Sequence, residues 1–90
     1  MLYVALMRII EGKNNEALVK RLQWQIPEGI NVVAQYWLGT PDPNVIVIFE
    51  TDSKASLMQF QGDWNDYFAI TIVPAITAEE GMEMAKRMMG

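Results

Sequence analysis

Cysteine and histidine are both absent from the 90 residues. Without cysteine there is no disulfide, no thiol nucleophile and no thiolate metal site. Without histidine the commonest general base and the commonest transition-metal ligand are missing. Proton transfer is left to Asp, Glu, Lys, Arg, Tyr and solvent, and neither a metal nor a cofactor is expected. Basic residues are scarce: 7 Lys and Arg face 11 Asp and Glu, for a net charge of −4. They do not cluster, so the footprint of a nucleic-acid binder is missing, and an anionic membrane surface is an unsuitable partner. No apolar run approaches the ~20 residues that span a bilayer. The segment Met1 to Ile10 is apolar but has no basic leader and no small-residue cleavage site, so it reads as a buried strand rather than a signal peptide. The expected location is the cytoplasm.

What is present is apolar patterning. Hydrophobic residues make up 51% and charged residues 20% of the chain, slightly above and slightly below the globular norms. A first strand is expected over Leu2 to Ile10. Leu2, Val4, Leu6 and Arg8 share one face; Tyr3, Ala5, Met7 and Ile9 share the other. Apolarity on both faces marks a strand covered on both sides. A second strand over Ile30 to Leu38 places Asn31, Val33, Gln35 and Trp37 on one face and Val32, Ala34 and Tyr36 on the other. Loop 39–44 is dense in turn formers. A short β-branched strand follows over Val45 to Glu50, and a fourth runs over Tyr67 to Val73, closed by Pro74.

Between these lie helical patterns. Asn14 is a good N-cap for a helix over Asn15 to Gln25, with Ala17, Leu18, Leu22 and Ile26 as its apolar stripe and Lys20, Arg21 and Gln23 toward water. Asp52 or Ser53 caps a second helix over Lys54 to Gln61, whose buried stripe is Leu57, Phe60 and, past its end, Trp64. Thr77 and Glu80 form a capping box that starts a third helix, Ala78 to Met89. Its methionines sit at helical spacing, which marks packing against a partner or the sheet edge rather than a metal site.

This order predicts one domain over residues 1–90. It is α+β, a ferredoxin-like βαββαβ unit with a four-stranded antiparallel sheet of order 4-1-3-2 and an extra C-terminal helix. Both crossover helices cover one sheet face. The other face is expected to carry Val4, Leu6 and Arg8 from the first strand, Asn31, Val33, Gln35 and Trp37 from the second, Ile46, Ile48 and Glu50 from the third, and one alternate set of the fourth, an apolar patch large for a soluble monomer. A second copy of the chain is the economical cover, and two such sheets face to face close a barrel.

Short motifs point the same way. Pro27-Glu28-Gly29-Ile30 precedes the second strand, Glu50-Thr51-Asp52 ends the third, Trp64-Asn65-Asp66 precedes the fourth and Pro74 follows it. On these the chain resembles the dimeric α+β barrel superfamily, and within it a group of small prokaryotic proteins near the GYD-domain family. The resemblance implies the barrel dimer. In that pattern the second strand commonly ends in a triplet like Arg-Trp-His; here it reads Gln35-Tyr36-Trp37. The superfamily includes cofactor-independent monooxygenases and isomerases. The resemblance therefore implies, as an alternative to a non-catalytic binding or structural role, an enzyme acting on a small aromatic or enolisable substrate.

The candidate ligand site combines Arg8, Gln35, Trp37, Glu50 and Tyr67. A cation, an amide and an aromatic wall suit a small anionic or aromatic molecule. The plainer reading has Arg8 at the barrel rim or paired with Asp66. Glu50 is the one candidate for a buried proton-transferring carboxylate; the plainer reading leaves it at the sheet's end, with Asp52 capping a helix. Trp24 and Trp64 read as packing residues.

Overall fold

Period-two alternation and β-branched residues form the strands. The computed structural model describes residues 1–90. It runs β1 (Leu2–Ile9), α1 (Asn14–Gln23), β2 (Asn31–Trp37), β3 (Val45–Glu50), α2 (Lys54–Trp64), β4 (Phe68–Ala75) and α3 (Ala78–Met89). The strands form one antiparallel sheet of order β2-β3-β1-β4. This is the expected topology. The α2 helix continues through Gly62 to Trp64, three residues past the expected end. Pro74 lies inside β4 rather than after it, which an edge strand tolerates.

The core lies between the sheet and the face of α1 and α2. Ala5 and Met7 from β1, Val47 and Phe49 from β3, Phe68 from β4, and Phe60 and Trp64 from α2 are all buried. Phe49 and Phe60 stack at 5.2 Å, and Trp24 meets Phe60 and Trp64 edge-on at 5.8 and 5.3 Å. Such pairs add to the stabilisation from area burial. Ser53 caps α2, its side chain accepting from the Ser56 N–H at 3.1 Å.

Three expectations are corrected. Asn14 does not cap α1: Lys13 holds the cap position, with no side-chain cap bond, and Asn14 is the first helical residue. The buried stripe of α1 is also rotated. Ala17 is buried, but Leu22 is 81% exposed, Leu18 and Ile26 are exposed, and Arg21 and Trp24 turn inward. The reason is Trp24. Its indole Nε1 donates to Asp63 Oδ2 at 2.9 Å and its ring packs on two aromatics of α2. One anchored indole sets the helix's rotation against two leucines, and the facing residues become 14, 17, 21 and 24.

The third correction is a β-bulge. Val32 pairs with Phe49 and Ala34 with Ile48, so Val33 has no partner. One extra residue reverses which alternate positions face which side. Before the bulge Asn31 lies opposite Glu50, on the side away from the helices. After it Gln35 pairs with Val47 and Trp37 with Val45, both on the helix side. Ala34 and Tyr36 take the open face instead. That face also carries Val4, Leu6, Ile46 and Ile48, each half-buried in the single chain.

The α3 helix has the expected capping box, Thr77 with Glu80, but no buried residue. Met82, Met84, Met88 and Met89 are all exposed. The molecule measures 52 × 30 × 16 Å. Its radius of gyration of 15.1 Å exceeds the ~12 Å of a compact 90-residue domain. No helix is long and apolar enough to cross a membrane.

Candidate functional site

The rotated helix and the bulged strand together make a cavity of ≈160 Å³ between α1 and the sheet. The floor is Met7, Val45 and Val47. Phe60 and Trp64 of α2 close one side, and Ala17, Arg21 and Trp24 lie on the α1 side. Gln35 and Trp37 project into it from β2. They reach this side only because of the extra residue at Val33. Asn14, Leu18 and Trp37 are the exposed members of the lining and mark its rim.

Polar groups in the cavity are few and fixed. Arg21 Nη2 donates to Gln35 Oε1 at 3.5 Å, across the gap from helix to strand. The same guanidinium lies 5.9 Å from the centre of the Trp24 ring, within cation–π range. Asn44 Oδ1 accepts from the Ile9 N–H at 3.0 Å. No acidic residue lines the cavity. An apolar chamber with a few convergent polar groups is the usual form of a small-ligand site.

The five residues proposed from the sequence are not brought together. Gln35 and Trp37 line this cavity. Arg8 lies on the other face at the β1 end, exposed, with its Nε 3.7 Å from Asp42 Oδ2. Its partner is thus Asp42 and not Asp66, because loop 39–44 returns to the end of β1. Glu50 lies at the opposite end of the sheet, across from Leu2 and Asn31, and is exposed. Nearby Asp52 accepts from the Met1 amino group at 2.9 Å. Tyr67 precedes β4 and packs edge-on against Trp64, with the Lys20 ammonium 5.7 Å from its ring.

Arg21 is the residue that sequence reasoning missed. Its charge assigned it to the solvated face. The signal that finds it is the spacing Asn14, Ala17, Arg21, Trp24, a full helical stripe ending in the largest side chain. No group of three or more Asp or Glu side chains is placed to hold a metal ion.

The sequence profile of a family described as "Domain of unknown function (DUF3303)" matches residues 1–89. No curated protein and no solved structure matches the chain.

Proposed function

We propose, starting from the fact that the chain belongs to the DUF3303 family, that it is a homodimer whose subunits each bind a small molecule under α1. The observation that carries this reading is the ≈160 Å³ cavity, walled by aromatic and aliphatic side chains and reached by Arg21, Gln35 and Asn44. A mostly apolar pocket of this size, open at its rim and carrying a few convergent polar groups, has the usual form of a small-ligand site. Gln35 and Trp37 keep the ligand-contacting role given to them from sequence, and Arg21 takes the place of Arg8.

The dimer is supported separately. The open sheet face carries half-buried Val4, Leu6, Ile46 and Ile48, with exposed Val33 and Tyr36 beside them. The resemblance to the dimeric α+β barrels favours the same face as the contact. Under this reading the cavity and the dimer contact lie on opposite sides of one sheet.

A thermal-shift screen of small apolar compounds tests the site. Hits should raise the melting temperature and change the Trp fluorescence. Ala17→Phe, which fills the chamber from the α1 side, should abolish both effects at a cost of about 1–3 kcal/mol from overpacking. Hits that act equally on the filled variant would overturn the placement.

A further inference from the structure

We infer that the cavity under α1 takes an organic anion, a ring-sized apolar body whose carboxylate pairs with Arg21. This rests on the reading of that cavity as a small-molecule site and adds the ligand's chemistry.

Charge comes first. Arg21 is the only charged residue lining the cavity, and it is half-buried. The three salt bridges of the molecule lie elsewhere, at Met1–Asp52, Arg8–Asp42 and Lys13–Glu16. The one hydrogen bond Arg21 makes to another side chain is the 3.5 Å contact with the neutral Gln35 amide. A guanidinium offers five N–H donors in a planar fork, and a carboxylate matches two of them at once. Partial burial without an anion leaves that charge undercompensated.

The other polar groups add to this bias. Asn44 spends its Oδ1 on the Ile9 N–H, so its Nδ2 remains as a donor. The indole of Trp24 is already committed to Asp63. The chamber thus presents several donors and one positive charge, with the Asn14 amide at its rim and no carboxylate to receive a cation.

Shape supplies the second half. A volume of ≈160 Å³ compares with the ~150 Å³ apolar cavity that holds one benzene molecule. A small inorganic anion would leave the walls of Met7, Val47, Phe60 and Trp64 unfilled. A neutral hydrocarbon would leave the guanidinium without its partner.

Matched probes test this on the full chain by NMR titration. Benzoate is set against benzyl alcohol, with acetate as the carboxylate that lacks a body. Benzoate should bind roughly tenfold or more tighter than benzyl alcohol, the difference a charge-assisted pair makes. It should shift the indole N–H signals of Trp24 and Trp64, and acetate at equal concentration should not. R21M should bring the ratio of the two affinities close to one, whatever it does to the affinity for benzyl alcohol. R21K, which keeps the charge and loses the fork, should fall between.

Equal affinities for benzoate and benzyl alcohol in the natural chain would overturn the anion assignment while leaving an apolar site. Benzoate binding undiminished in R21M would do the same. Binding of neither probe would remove the ring-sized site itself, and the anion with it. Should R21M not fold, the comparison of the two probes on the natural chain decides alone.

Discussion

Gly29 shows how closely one position is specified. Its φ is +90°, in the region L side chains rarely adopt, and a Cβ placed there would meet Ser56 Oγ at 2.7 Å. That hydroxyl is itself held, since Ser56 Oγ donates to the Glu28 carbonyl. Strain and contact therefore add. Gly29→Ala should cost on the order of 1–3 kcal/mol, a fall in melting temperature of roughly 5–20 °C. Gly39, with open space around it and no positive φ, is the control, and Gly39→Ala should shift the melting temperature by no more than a few degrees. Thermal unfolding by circular dichroism reads both, and equal shifts would refute the account. Arg21 belongs at this scale too. Its half-burial follows from the residue three places on, because Trp24 is tied to Asp63 at 2.9 Å and sets the rotation of the whole helix.

At the scale of elements, legibility depended on how regular each element is. The faces of β1 and β3 follow strict alternation, and Ala5, Met7, Val47 and Phe49 are buried as the pattern requires. Sheet order followed from chain order and the right-handed crossover rule. The capping box at Thr77 and Glu80 was visible as a spacing. The faces of β2 were not, because alternation has no symbol for an inserted residue. Val33 resembles its neighbours chemically, and only the pairing partners of Val32 and Ala34 reveal it. The error carried straight to the site, placing Gln35 and Trp37 beside Arg8 when a sheet's thickness separates them. In α1 the leucines outnumbered the tryptophan and misled the choice of face.

The bulge makes its own prediction. Deleting Val33 joins Val32 to Ala34 in unbroken alternation, and every other β2 residue keeps its side. The variant should fold, with a melting temperature within about 5 °C of the natural chain, and the Trp37 indole should keep its chemical shift. Deleting Ile48 from the regular strand opposite moves half of β3 to the wrong face and should unfold the protein. A folded Ile48 deletion, or an unfolded Val33 deletion, would contradict the register described above.

For the whole molecule, the question is what remains uncovered. One sheet face and every residue of α3 but the half-exposed Gly81 stay open to solvent in the single chain. An isolated helix of 12 residues is marginal in water, so α3 gains from any surface that receives its methionines. Under the proposed dimer, light scattering at micromolar concentration gives twice the chain mass of 10.3 kDa. Ile48→Asp places a carboxylate in the middle of that contact and should return the mass to a single chain. Gln59→Asp, on an exposed part of α2, should leave it doubled. A natural chain that stays at single mass throughout would end the dimer reading and leave the cavity reading untouched.

The extra residue at Val33 has a counterpart at the far side of the sheet. β2 and β4 are the two outer strands; one is interrupted at Val33 and the other contains Pro74, which has no N–H to give. Neither border offers an unbroken row of donors and acceptors to a passing extended chain. Lateral growth into cross-β stacks, the hazard of any short sheet rich in valine and isoleucine, is therefore obstructed at both margins. Under the proposed dimer, copies meet instead on the flat of the sheet, where the contact closes on itself and stops.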